Sequence, residues 1–173
     1  SCLPHQVTMT VSMAAESGQP TPLFAAVGTV NHRQRERMVE RLAALLDGSL
    51  AGATIALLGV TFKPDTDDLR DAPSLDIAAR LTEEGATVVA FDPMTSALER
   101  FGELVPGVQL AASADEALTR ADAAALVTEW PVFRQLDWRR AAGLMRRPSL
   151  VDGRNALSVI EMVDGGFAYS SFA

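Results

Sequence analysis

The chain has 173 residues, 48% of them hydrophobic and 21% charged, with a formal net charge of −7 and one cysteine. That is room for one full domain plus an appendage, in the composition range of soluble globular proteins. The acidic balance excludes nucleic acid and an anionic membrane as expected partners, and a lone cysteine excludes an internal disulfide framework and suits a reducing cytoplasm. The longest uncharged runs, such as Ser49 to Phe62, are too short and Gly-rich to span a membrane. No signal peptide is visible. The chain starts on Ser1 with Cys2 next, which fits a fragment, a processed product or a cloning scar.

Val7, Met9, Val11, Met13 and Ala14 predict a short helix ending near Gly18, and Gln19-Pro20-Thr21-Pro22 breaks it. From Thr21 to Asp47 a long helix is expected. Leu23, Ala26, Val27, Val30, Met38, Leu42, Leu45 and Leu46 give it one apolar face, and arginines and glutamates cover the rest. At 1.5 Å per residue it reaches on the order of 38 Å. That length suits a spacer or a dimer interface, or else an ordinary packed helix with a solvated charged face. Thr54–Leu58 reads as a first strand, and Pro73 opens a helix that Gly85 stops. Thr87–Phe91 is a second strand, residues 96–101 a short helix, and Val108–Leu110 a small strand. Ser113 and Glu116 form a capping box. Ala123–Val127 is a further strand, Asp137 caps a helix running to about Met145, and Ser149–Val151 is another strand. A helical stretch over Leu157–Val163 and a last strand over Phe167–Tyr169 complete the chain. Strands alternating with helices predict an α/β fold: a Rossmann-like doubly wound parallel sheet preceded by a long helix.

The stretch Gly59 to Ser74, GVTFKPDTDDLRDAPS, is the long loop after the first strand. In such a sheet it lies at the carboxyl ends of the strands, where ligands bind. No G-x-G-x-x-G follows the strand, so the usual pyrophosphate-cradling turn is not expected. Lys63 is a point charge suited to a phosphate, and Arg154, after the strand over residues 149–151, leaves the sheet on the same edge. Both could instead form salt bridges to the aspartates around them. Asp65-Thr66-Asp67 fails as a calcium loop, since its sixth position is Arg70 and its twelfth is Asp76, so no metal is expected. Asp92 stands where a ribose-binding acid would, or forms the turn that Asp-Pro favours. A cysteine such as Cys2 is reactive only where a cation or a helix N-terminus lowers its pKa. Trp130, Phe133 and Trp138 read as core or rim packing.

Several stretches together resemble the C-terminal half of the UDP-glucose/GDP-mannose dehydrogenase family. Ser1-Cys2-Leu3-Pro4 resembles the end of its G-G-S-C-F/L-P-K-D motif, and Val30-Asn31-His32-Arg33-Gln34 its V-N-x-x-Q. Gly59 to Ser74 follows G-x-x-F-K-P-D-T-D-D-x-R-x-x-P-S almost letter for letter. Thr128-Glu129-Trp130 and Asp152-Gly153-Arg154-Asn155 match T-E-W and D-G-R-N, and Gly166-Phe167-Ala168-Tyr169 matches the family's end. The resemblance implies an NAD-dependent nucleotide-sugar 6-dehydrogenase, with the N-terminal NAD domain lying outside this sequence and the chain inactive alone. Cys2 would attack the aldehyde intermediate, the thiohemiacetal would be oxidised, and water would cleave the thioester. Phe62, Lys63 and Arg154 would contact a UDP-, GDP- or dTDP-hexose, and Arg70, Leu3 and His5 would lie by NAD. Residues 1–47 would form the catalytic-cysteine strip and the central helix of a homodimer, and 48–173 the UDP-binding domain. His5-Gln6 replace the family's Lys-Asp. Gln6 cannot accept a proton, which leaves His5 to serve the hydrolytic step. The alternative is a non-catalytic nucleotide-sugar-binding or dimerisation module.

Overall fold

A computed structural model describes the backbone of residues 2–172 and the side chains of residues 5–172. Its centre is β1 (Thr54–Leu58), in which Ile55, Ala56, Leu57 and Leu58 are all fully buried. A parallel strand covered on both faces needs such an unbroken apolar run. β1 pairs in parallel with β2 (Thr87–Phe91) from Thr54↔Thr87 to Leu58↔Phe91, and on its other side with β4 (Ala123–Leu126). β3 (Gln109–Leu110), β5 (Ser149–Asp152) and β6 (Ala168–Ser171) extend the sheet to the order β3-β2-β1-β4-β5-β6. The chain reverses its winding between β1 and β4, so a crevice is expected over the carboxyl ends of those two strands.

Alternation along the strands sorts the core into two layers. Ile55 and Leu57 face one cluster, which also takes Val88, Ala125 and Val151. Its helices are α2 (Pro22–Leu45), α3 (Pro73–Glu83) and α4 (Thr95–Leu104). Ala56 and Leu58 face the other, under α5 (Ala114–Leu118), α6 (Pro131–Arg134), α7 (Trp138–Leu144) and α8 (Val159–Asp164). Trp138 packs edge-on against Phe167 there, ring centroids 5.5 Å apart.

Most predicted elements are present within a residue or two. Pro73 and Pro22 each occupy the first turn of their helices. Ser113 accepts from the amide of Glu116 and Asp137 from that of Arg140. Gly85 closes α3 at φ 84°. α6 was not anticipated, because one turn opened by Pro131 carries no periodicity. The last strand lies one to two residues later than predicted.

α1 (Cys2–Glu16) packs against α2. α2 is 24 residues long, and only Met38, Val39 and Leu42 of it are buried; its amino-terminal part leaves Leu23, Val27 and Val30 exposed. Among the described residues no helix is long and apolar enough to cross a membrane.

Candidate functional site

The turn after β1 is built by side chains that reach it from other turns. Gly59 has φ 87°, and a Cβ placed there would lie 2.5 Å from Cβ of Thr128, so the residue must lack one. The amides of Val60 and Thr61 donate to Oδ2 of Asp92 at 2.7 and 3.1 Å. Asp92 is 2% exposed and points inward. It is therefore the anchor of this turn, and of the two sequence expectations the turn-forming one describes it. Ser74 donates to the carbonyl of Val60, tying the loop's end to its start. Within the loop, the Phe62 amide donates to the carbonyl of Asp68 at 2.9 Å. The backbone amide, Nε and Nη2 of Arg70 all donate to the Asp68 carboxylate. These bonds from Arg70 hold the Asp68 carboxyl down at about 2.

The strip Thr128-Glu129-Trp130 lies directly beyond this turn. Thr128 donates to the carbonyl of Thr61 at 2.5 Å, and Nε1 of Trp130 reaches Oγ1 of Thr61 at 3.2 Å and Asp92 at 3.1 Å. Glu129 stands between them and accepts a two-pronged pair from Arg154: Nε to Oε2 at 2.6 Å and Nη2 to Oε1 at 3.0 Å. Burial pushes the Glu129 carboxyl up, but the Arg154 bonds and charge with its own backbone bond outweigh that and hold it below its usual value. Arg154 follows β5 in a turn anchored by Asp152, which is fully buried. That carboxylate accepts from the amides of Arg154, Ala156 and Leu157 and from the Tyr169 hydroxyl. Burial, then the bond to Asp152, raises the Tyr169 pKa. Gly153 gives room to Met38 of α2, whose Cε lies 2.5 Å from where a Cβ would stand.

A cleft of about 420 Å³ opens between these turns and α2. α2 contributes Asn31, Gln34, Arg35 and Arg37 to it; the turns contribute Phe62, Asp71 and Arg154. Phe172 also lines it. The guanidinium of Arg41 lies 4.4 Å and that of Arg37 5.4 Å from its ring centre, and its amide donates to Oδ1 of Asn155. The charged residues of the lining are Arg35, Arg37, Arg154 and Asp71, with Arg154 paired to Glu129 and Arg35 to Asp76 from outside it.

The structure thus brings Phe62 and Arg154 together. Lys63 is exposed next to Phe62 on the same loop, outside the cleft lining, and among the described residues it has no ion pair or hydrogen bond. The expected alternative, a salt bridge to Asp65 or Asp68, is not formed; Arg70 holds Asp68 instead. Arg70 is itself exposed. Nδ1 of His5 lies 4.0 Å from Oδ2 of Asp71, which brings the start of α1 to the edge of the cleft. Gln6 is exposed, with its carbonyl accepting from Thr10. The side chains of Cys2 and Leu3 lie outside the described residues. The sequence reading missed Arg35, Arg37, Glu129 and Phe172. Helical spacing marked the arginines only as a polar face, and T-E-W was the one signal at Glu129.

The β1 turn does not fit a dinucleotide pyrophosphate in the usual way. The amides of Val60 and Thr61 that would face it are taken by Asp92, and Thr128 fills the space beside Gly59.

A parallel sheet in this order, with an arginine-bearing cleft on its carboxyl edge, defines a doubly wound α/β domain with its cleft where such folds bind ligands. The chain belongs to the UDP-glucose/GDP-mannose dehydrogenase family: the profile of that family's UDP binding domain matches residues 56–159. It is 42% identical over 173 residues to a UDP-glucose 6-dehydrogenase of Pseudomonas aeruginosa, covering 98% of this chain and 38% of the relative. It is 36% identical to one of Rhizobium meliloti, covering 99% and 39%. The fold superposes with TM-score 0.81 on a UDP-glucose dehydrogenase from Pyrobaculum islandicum, at 28% identity, covering 98% of this chain and 36% of that one. The chain therefore spans about 38% of the length of the first of these relatives.

Proposed function

We propose that this chain is the nucleotide-sugar-binding portion of a cytoplasmic, NAD-dependent nucleotide-sugar 6-dehydrogenase that oxidises a UDP-glucose-like substrate to the uronic acid. The observation that carries the reading is the cleft in which Phe62 and Arg154 meet, over the carboxyl edge of a UDP-binding-family sheet. Arg154 takes the diphosphate with donors left by Glu129, Lys63 adds a point charge from the loop after β1, and Phe62 of the same loop packs against the nucleotide sugar. Residues 48–173 form this binding domain. Residues 1–47 bring Cys2 to the substrate and pair two copies through α2.

NAD supplies the hydride acceptor when bound. Since the β1 turn does not fit its pyrophosphate, the contacts of this chain with it are confined to Arg70, Leu3 and His5. Cys2 is the nucleophile that holds the sugar through a thiohemiacetal and then a thioester. His5, beside the Asp71 carboxylate, takes the proton of the hydrolytic water in place of the family's aspartate. Gln6, which has no basic lone pair for that step, is the observation favouring the second reading, a nucleotide-sugar-binding or dimerisation module without catalysis.

Calorimetric titration of the chain with UDP-, GDP- and dTDP-sugars tests the reading. Saturable binding of one of them, weakened in Arg154→Ala, is expected. Absence of binding to all three would overturn it. Rapid thiol labelling of Cys2 that nucleotide sugar suppresses is expected of the dehydrogenase and not of the binding module.

A further inference from the structure

We propose that Glu129 is a positioning residue that aims Arg154 at the diphosphate of the bound nucleotide. This rests on the role given to Arg154 above. A guanidinium has five N–H donors, and Glu129 takes two of them, one on Nε and one on Nη2. The remaining three have no partner among the described residues. Arg154 lines the cleft and Glu129 does not, so the carboxylate grips the guanidinium from outside and leaves its other edge to the ligand.

The grip is useful only if the carboxylate is itself fixed, and its two neighbours fix it. Thr128 and Trp130 are both buried and both bonded to Thr61 in the β1 turn, so Glu129 stands on a strip pinned at each end. Arg154, by contrast, is on an exposed turn, and Glu129 is the one side chain among the described residues that holds its guanidinium. Without it the long arginine side chain regains its rotamer freedom, and a bound anion must then order it. The Glu129 carboxyl, held below its usual value, stays charged through the neutral range and keeps the pair intact there.

A competing role makes the opposite prediction. If Glu129 were merely a placeholder anion that the diphosphate displaces, its removal would tighten ligand binding. The sign of the change therefore decides. UDP and UMP affinities are measured by calorimetry for the wild-type chain, Glu129→Gln, Glu129→Ala, Arg154→Ala and the Glu129→Gln/Arg154→Ala double variant, with thermal midpoints recorded alongside. UDP binding is expected to weaken about threefold in Glu129→Gln, which keeps one acceptor, and about tenfold in Glu129→Ala, with UMP less affected. In the Arg154→Ala background Glu129→Gln should change nothing further. Tighter UDP binding in Glu129→Gln, or an equal loss in the Arg154→Ala background, would overturn the proposal. Arg154→Ala binding UDP like wild type would instead overturn the role of Arg154 itself. A lowered midpoint with unchanged affinity would make the pair purely structural and also overturn the proposal.

Discussion

The indole Nε1 of Trp130 donates to Oδ2 of Asp92 across 3.1 Å in the protein interior, joining the turn after β4 to the turn after β2. The same oxygen accepts the amides of Val60 and Thr61, so one carboxylate ties three strand ends together beneath the cleft. Asp92→Ala would leave the amides of Val60 and Thr61 buried without an acceptor, while the indole keeps Oγ1 of Thr61. A loss of about 3 kcal/mol or more is expected, read as a lower urea midpoint with an unchanged slope. A shift within experimental error would show that the turns hold without it.

Gly59 and Gly107 separate two kinds of glycine requirement. Both have positive φ, but a Cβ at Gly59 meets Thr128 at 2.5 Å whereas one at Gly107 meets nothing within 4 Å. Gly107→Ala should cost only backbone strain, about 1–2 kcal/mol. Gly59→Ala adds the clash and should cost about 2–5 kcal/mol. Chemical denaturation of the two variants gives the comparison, and equal losses would contradict it.

The strands and most helices were legible in the sequence because they rest on local signals: the apolar run of β1, Pro73 at a helix start, the cap at Ser113, the stop at Gly85. The organisation of the cleft was legible only in part. Arg154 was placed correctly on the carboxyl edge by its position after β5. Asp92 could not be told from a ribose ligand, because its partners Val60, Thr61 and Trp130 lie 31 to 38 residues away. Arg35 and Arg37 looked like solvated charges, since helical spacing defines a face but not what that face overlooks. Phe172 gave no signal at all; Arg37 and Arg41 meet it only through the tertiary fold.

Asp68 gives a pH signature. Its bonds from Arg70 hold its carboxyl at about 2, below its unfolded value of about 3.8. A depressed carboxyl contributes stability that is present above the unfolded pKa and is lost as pH falls through the folded one. The contribution is therefore full at pH 6 and fades between about pH 4 and 2. In Arg70→Ala the Asp68 carboxyl should titrate in the ordinary range, and the stability gap to wild type should close toward pH 2. Carboxyl carbon NMR titration checks the first point and denaturation at several pH values the second. An unmoved Asp68 would show that Arg70 is not the cause.

The amino-terminal part of α2 has an apolar stripe that the domain does not cover. Leu23, Val27 and Val30 follow one face and are 73%, 39% and 55% exposed, while burial is confined to Met38, Val39 and Leu42 further along. A second copy covering this stripe is expected, with light scattering giving twice the chain mass and Val30→Glu returning it to the monomer mass. A monomer at high concentration would count against pairing through α2.

The last expectation concerns Lys63. It follows β1 as Arg154 follows β5, so both leave the sheet on its carboxyl edge, where the loops converge. A structural role would need a carboxylate partner, and none is present among the described residues: Arg70 occupies Asp68, and Asp65 makes no pair with Lys63. Removing the ammonium should therefore leave folding stability nearly untouched. A charged contact to a phosphate is worth roughly 1.5–3 kcal/mol, so Lys63→Ala should weaken nucleotide-sugar binding about ten- to a hundredfold. The loss should shrink as salt rises, because the lysine is exposed and its field is screened. Thermal denaturation and calorimetric titration of the same variant separate the two roles. Reduced stability with unchanged affinity would assign Lys63 to the fold, and unchanged values of both would remove it from the site.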